Sequence, residues 1–246
     1  MRVLRTIHTF YCLFVFSVLF LVFFPLFLIP IVFKDQFKLV GVFNRWWAHI
    51  FFPLCFLRFK VSTQTNLNAD QQYIFCANHF SYLDIPTLGL NPVNAIFVGK
   101  NDMEGIPLFG FMYRKLHITV DRSKLRSRMN TIIQSLKAID AGKSLVIFPE
   151  GGIVTKNPPQ MAHFKDGAFR IAIEKQIPIV PVTIPHNWII LPDRSPLRVH
   201  AGCVNVIFHA PILPQAYTLD TVDEYKKEVY NVINNELMLW NSTKKL

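Results

Sequence analysis

The chain has 246 residues, carries a net charge of +10, and is 51% hydrophobic but only 17% charged. That length suits one α/β domain, and the composition excludes disorder, collagen, a coiled coil and a small disulfide scaffold. What remains is a globular domain with a strong membrane bias, reinforced by 23 phenylalanines.

The positive charge is uneven: residues 1–60 hold seven Lys/Arg and a single acid. A basic, Phe-rich N-terminus suits an anionic lipid surface. Nucleic-acid binding would require basic residues interleaved with exposed aromatics along the folded domain, and no such stripe is present, so no nucleic-acid partner is expected. Cys12, Cys55, Cys76 and Cys203 form no C-x-x-C pair and read as small buried hydrophobes in a reducing compartment.

Thr6 to Phe33 contains no Lys, Arg, Asp or Glu. As a helix it extends about 42 Å, longer than the ~30 Å hydrocarbon core of a bilayer. The run is too long for a cleaved signal peptide, and no small-x-small site follows it. Pro25 and Pro30 are expected to kink or break the helix in its last third. Residues Phe37–Phe59 mix Trp46, Trp47, Phe51, Phe52 and Phe56 with Arg45, His49 and Arg58, with Lys60 just beyond. This reads as interfacial, with rings at headgroup depth and basic tips on phosphates. Either the first helix spans the membrane once, or the two segments form a hairpin that dips into one leaflet. The expected division is a membrane-embedded helical segment over 1–60 and an α/β domain over 61–246, with the latter facing the cytoplasm.

From about Ala69 short β-rich runs alternate with helical ones. Gln72–Ala77, Ala95–Lys100, Leu116–Val120, Ser144–Phe148, Ile177–Ile184 and Val204–Phe208 read as strands. Helices are expected near Leu83–Leu90, Pro107–Lys115, Lys124–Ala141, Lys165–Lys175 and Asp220–Trp240. Lys124–Ala141 has Met129, Ile132, Ile133, Leu136 and Ile139 at three-to-four spacing, with Gly142 as its C-cap. The expected fold class is therefore α/β: a mostly parallel sheet flanked by helices, behind an N-terminal two-helix membrane element.

The sharpest local feature is Asn78-His79-Phe80-Ser81-Tyr82-Leu83-Asp84, directly after the first of these strands. In open α/β sheets functional groups collect there. A His and an Asp five residues apart across a strand-to-helix turn let the carboxylate hold one ring nitrogen. The other nitrogen is then free to take a proton from a hydroxyl. This is the base-and-orienter half of a serine-protease triad without the serine, so the hydroxyl is expected to be the substrate's. The competing explanation is structural: Asp84 caps the next helix and His79 is a turn residue.

Three further segments follow strands or open helices. Phe148-Pro149-Glu150-Gly151-Gly152 offers glycines for close backbone approach and Glu150 as an acceptor. Val120-Asp121-Arg122 offers Arg122 as a bidentate phosphate ligand. Phe164-Lys165-Asp166-Gly167-Ala168 opens a helix with a basic residue. Each alone has an ordinary explanation as a turn, an ion pair or a helix start; their recurrence at successive strand ends points to a site.

In order and spacing these segments resemble the glycerolipid acyltransferase superfamily, in particular the 1-acyl-glycerol-3-phosphate acyltransferase family. Asn78, His79 and Asp84 match its N-H-x-x-x-x-D motif, Val120-Asp121-Arg122 its Arg-bearing motif, and Phe148 to Gly151 its F-P-E-G motif. Val180-Pro181-Val182 matches its late strand, and Val98-Gly99-Lys100 and Phe164–Phe169 are similar to family segments. The resemblance covers about residues 70–210. It implies a membrane-bound enzyme of phospholipid biosynthesis moving an acyl group from acyl-CoA or acyl carrier protein to a lysophospholipid. The acceptor implied is 1-acyl-glycerol-3-phosphate, the product phosphatidic acid, with His79 and Asp84 catalytic. Lys100, Arg122, Glu150, Gly151 and Lys165 would bind substrate, with no cofactor and no metal. The family's third motif usually continues T-R-S; here Ile153 takes the place of the arginine, which opens the alternative of another lysolipid acceptor such as a lyso-amino-acid lipid.

Other classes fare worse. There is no G-x-S-x-G elbow for a hydrolase. Gly142-Lys143-Ser144 lacks the earlier glycine of a P-loop, since Lys137 stands there. A non-enzymatic lipid-binding member is the remaining rival, and it has no need to keep both His79 and Asp84.

Overall fold

The computed structural model describes residues 2–100, 104–121 and 125–243. In chain order the elements are α1 (Arg2–Val32), α2 (Leu39–Leu54), β1 (Arg58–Thr63), β2 (Ile74–Ala77), α3 (Asp84–Leu88), β3 (Ala95–Lys100), α4 (Phe109–Leu116) and β4 (Ile118–Val120). There follow α5 (Leu125–Asp140), β5 (Ser144–Ile147), α6 (Gly167–Lys175), β6 (Ile179–Thr183), α7 (Asn187–Ile190), β7 (Cys203–Phe208) and α8 (Val222–Thr243).

The seven strands form one sheet in the order β1-β7-β6-β2-β5-β3-β4. Neighbours pair in parallel except β6 and β7, which pair antiparallel through Val182↔Phe208 and Thr183↔Ile207. β1 and β7 therefore run opposite to the other five strands. All four residues of β2 and all five of β6 are buried, as expected for strands covered on both faces. Alternate residues divide between two cores. Phe75, Ala77, Val146, Val180 and Val182 face α1, α2 and α3, whereas Ile74, Cys76, Leu145 and Ile179 face α6 and α8. β1 and β4 are the edges. β1 carries Arg58 and Lys60 outward, a charge pattern that discourages pairing with another chain.

The N-terminal helices are built into the domain. The Thr9 hydroxyl accepts a hydrogen bond from the Val199 amide at 2.9 Å, and Cys12 and Val15 join the core around Phe51, Phe52 and Phe75. Further along α1, Phe16 and Phe20 meet Phe109 of α4. Phe23 and Phe27 then pack with Val40 and Phe43 of α2 and with Met112 and Leu116 of α4. One face of α1 is thus held by protein along its length. The other exposes Val3, Leu4, Ile7, Phe10, Phe14, Val18, Leu21, Val22 and Ile29 at three-to-four spacing.

Several expectations change. The chain stays helical through Pro25 and Pro30, because packing of Phe23 and Phe27 holds the turns whose backbone bonds the prolines remove. The boundary at residue 60 falls inside β1, a strand unrecognised in the sequence because it continues the aromatic segment. Arg45 does not reach outward for phosphates. Its guanidinium donates to the Asn91 carbonyl and to Asn94 Oδ1, both at 2.9 Å, tying α2 to the turn before β3. In α5 the buried face is Thr131, Ser135, Ala138 and Ile139, whereas Met129, Ile132 and Ile133 are exposed. The sheet accepts the smaller side chains of that helix.

Phe52 has no exposed surface and sits among these packed helices. Phe52→Ala should lower folding stability by about 3–5 kcal/mol in chemical denaturation. Removing residues 1–57 uncovers the Phe75, Val146 and Val180 face and should yield aggregated protein in a sedimentation assay. A soluble, cooperatively folded truncation would show that the two helices serve only as an anchor.

Candidate active site

β2, β5 and β6 lie side by side and end at the same edge of the sheet. Their continuations, 78–84, 148–152 and 184–187, meet there. Asn78 fastens the first to the third. Its side-chain amide donates to the Ile184 carbonyl at 3.0 Å, and its Oδ1 accepts from the Ile184 amide at 2.8 Å. A side chain here continues the β2–β6 ladder by one step after the backbone has turned away.

His79 Nδ1 stands 3.0 Å from Asp84 Oδ2. The same oxygen accepts the Phe80 and Ser81 amides at 2.8 and 2.9 Å, and Oδ1 accepts Asn187 Nδ2 at 3.0 Å. Asp84 therefore orients the histidine and closes the turn before α3; it does not cap that helix as the competing explanation required, since Leu83 is the N-cap and Asp84 the first helical residue. The imidazole stacks on Phe148, with ring centroids 3.9 Å apart and planes 16° from parallel. With Nδ1 engaged and one ring face covered, Nε2 is the nitrogen left to a ligand. His79 retains 8% exposure and Asp84 none. The geometry is that of an imidazole base held in one tautomer by a buried acid.

Glu150 is 2% exposed. Its Oε1 accepts the His79 amide and its Oε2 the Ala162 amide, both at 2.8 Å. The carboxylate expected to bind substrate thus grips the backbone of the histidine itself, and it joins the β5 turn to the 152–166 loop. Gly151 adopts φ +83°, and a Cβ there would stand 2.5 Å from Lys165 Nζ. The positive φ favours glycine here, and the end of the Lys165 side chain lies across it. Lys165 thereby joins the site, and its amide bonds the Pro149 carbonyl at 2.9 Å. Lys100 ends β3, two strands from β2 at the same sheet edge. Arg122 lies outside the described residues.

Sequence reasoning missed Asn187, whose amide bridges Asp84 Oδ1 and the Thr87 hydroxyl at 2.8 Å. It also missed the bond from the Ser81 hydroxyl to the Leu191 carbonyl at 2.7 Å, which pins the turn. These partners lie more than a hundred residues from the motif, and no spacing signal marks them. Phe148 as a ring support was legible only as part of F-P-E-G.

Burial raises the Glu150 carboxyl from an ordinary 4.5 to about 7, although its two backbone bonds pull the other way. Its folded value lies above its unfolded one. The stability it contributes is complete below about pH 4.5 and is lost as pH rises through about 7. The full span is ~3 kcal/mol. Glu150→Gln cannot ionise and should flatten this dependence, as denaturant midpoints at about pH 5 and about pH 8 would show.

Residues 58–185 match the family model described as Acyltransferase. A 1-acyl-sn-glycerol-3-phosphate acyltransferase of Saccharomyces cerevisiae is 31% identical over 188 residues, covering 75% of this chain and 61% of that protein. One of Haemophilus influenzae is 28% identical over 204 residues, covering 80% and 81%. This chain spans less than two thirds of the yeast protein and 54% of a chloroplastic relative from Brassica napus. The crystal structure of the 1-acyl-sn-glycerophosphate acyltransferase PlsC from Thermotoga maritima shares the fold, with a TM-score of 0.81 over 98% of this chain and 97% of that one at 22% identity. The family match runs from the first residue of β1 to just past β6 and encloses the His79–Asp84 pair, so this chain belongs to the acyltransferase family.

Proposed function

We propose that the protein transfers a fatty acyl group from a thioester to the free hydroxyl of 1-acyl-glycerol-3-phosphate, giving phosphatidic acid. The observation that carries this reading is the imidazole held through Nδ1 by a buried carboxylate, with Nε2 left to a ligand. His79 Nε2 takes the proton of the acceptor hydroxyl as that oxygen attacks the thioester carbonyl. The tetrahedral intermediate collapses, the carbon–sulfur bond breaks, and the thiolate leaves with the proton returned from His79. Base assistance of this kind contributes about 10²–10⁴-fold. Acyl-CoA or acyl carrier protein is the donor. Lys100, Arg122 and Lys165 hold the acceptor phosphate, and Gly151 lets it approach the backbone. The relatives named above carry the same activity in their names.

The reaction takes place at a membrane, with the α/β domain on the cytoplasmic side. α1 is the one helix among the described residues long and apolar enough to cross a bilayer. Because protein covers one of its faces from Thr9 to Phe27, we favour a hairpin of α1 and α2 lying in one leaflet over a free span.

Purified protein is to be incubated with labelled acyl-CoA or acyl-ACP and a panel of lysolipids. His79→Ala should abolish transfer with every pair while the far-ultraviolet circular-dichroism spectrum stays that of the folded protein. Asp84→Asn should reduce turnover by ~10⁴-fold through the wrong tautomer. Near-normal turnover in His79→Ala would end the assignment.

Ile153→Arg tests the acceptor. With a phosphorylated acceptor, an added guanidinium should leave KM unchanged or lower it by up to ~10-fold. With an acceptor lacking phosphate, the unpaired charge should impair turnover. Loss of activity in this variant, together with transfer only to phosphate-free lysolipids in the panel, would reject phosphatidate as the product.

A further inference from the structure

The segment Ile106–Lys115 exposes apolar surface that the reaction does not use. Ile106 and Leu108 are each 48% exposed and Phe111 is 39% exposed. The opposite side of α4 is fully committed: Met112 and Leu116 are buried against α1 and α2, and the Phe109 ring lies 6.3 and 5.4 Å from those of Phe16 and Phe20. The outward side is therefore not a core face turned the wrong way. Leu108 is also held at φ 59°, ψ −49°, an unfavourable conformation for a branched side chain. Among the described residues, Leu108 joins none of the hydrophobic clusters that would offset this strain.

Two neighbours define what covers this surface. The first is α1, whose exposed apolar face adjoins α4 at Phe16 and Phe20 and carries Phe14, Val18, Leu21 and Val22. The second is a basic pair on the outward side of α4 itself: Arg114 and Lys115, both exposed, stand three and four residues beyond Phe111, and Arg114 also donates to the Glu104 carbonyl at 3.1 Å and lies 4.0 Å from the Glu104 carboxylate. Apolar tips followed one turn later by cations form the gradient of an element sitting at a bilayer surface. The position is also telling. α4 begins beyond the end of β3, at the sheet edge that carries His79.

We propose that Ile106–Lys115 is a membrane-inserting element distinct from the α1–α2 hairpin. Ile106, Leu108 and Phe111 enter the acyl region of a phospholipid monolayer, and Arg114 and Lys115 rest on its phosphates. The partner is an anionic lipid surface. The element seats the catalytic edge of the sheet on the leaflet, so that a lysolipid reaches His79 without leaving the interface. This rests on the membrane reading of α1 and α2 given above.

The test uses the full chain in vesicles of phosphatidylcholine and phosphatidylglycerol, in a Cys203→Ser background. Nitroxide labels are placed one at a time at Leu108→Cys, Phe111→Cys, Val18→Cys on the exposed face of α1, and Met129→Cys on the far side of the sheet. Collision with dissolved oxygen and with a water-soluble nickel chelate is read for each. Labels at 108, 111 and 18 should favour oxygen by about tenfold or more relative to the label at 129, the contrast expected between acyl chains and water. If 108 and 111 match 129 while 18 stays in lipid, the inserting element is refuted and the hairpin stands. If 18 also matches 129, the membrane reading itself fails. As a second readout, the triple variant Ile106→Asn, Leu108→Asn, Phe111→Asn should lose about tenfold or more activity on bilayer substrate. It should retain full activity on a short-chain substrate below its aggregation concentration. Equal loss on both substrates would place these residues in folding or the site instead.

Discussion

A carboxylate with no solvent exposure survives only if donors surround it, and Asp84 is such a group. Two of its donors are backbone amides of the turn it closes, one is the histidine it orients, and one comes from Asn187, just beyond the end of β6. Charge-assisted bonds of this kind are each worth about 1.5–3 kcal/mol net. The arrangement couples the turn after β2 to the turn after β6. Losing Asn187 or either amide leaves a buried charge undersupplied, so the imidazole position and the closure of the sheet edge are parts of one requirement.

Glu150 extends the same logic by another route. It is buried within the β5 turn, and it bonds the amide of His79 rather than its ring. The histidine is held through its side chain by Asp84, through its backbone by Glu150 and across its face by Phe148. The turns after two neighbouring strands, β2 and β5, thereby fix one imidazole from three directions. Such over-determination is what a base needs if a reacting hydroxyl is to be met at a fixed distance.

The N-terminal helices join the site to its surroundings. α1 and α2 cover one face of the sheet and leave a long apolar surface outward, so the same helices complete the core on one side and present unburied apolar residues on the other. Strand β1 follows directly and pairs with β7, which knits the helical segment into the sheet instead of leaving it as a tether. A helix that completes the core in this way cannot be exchanged freely for an unrelated apolar helix.

Apolar runs determined, from the sequence alone, the α/β class, six of the seven strands and the helices of the α/β domain other than the short α7, because side-chain period is a local property. The His79–Asp84 pair was legible as one of two arrangements, a held imidazole or a helix cap beside a turn residue, and the 3.0 Å contact decided between them. Tertiary structure decided the remainder. β1 was hidden because its short alternation, Arg58 to Ser62, runs straight on from the aromatic segment before it and takes its register from β7. The buried face of α5 went to Thr131, Ser135, Ala138 and Ile139 because the space beneath the helix, set by the sheet, outweighs the hydropathy of Met129, Ile132 and Ile133. Asn187 reached Asp84, and Glu150 turned inward to the His79 backbone, because buried polar groups take whichever partners the packed chain brings within 3 Å. Those partners come from distant segments, and no local pattern encodes their meeting.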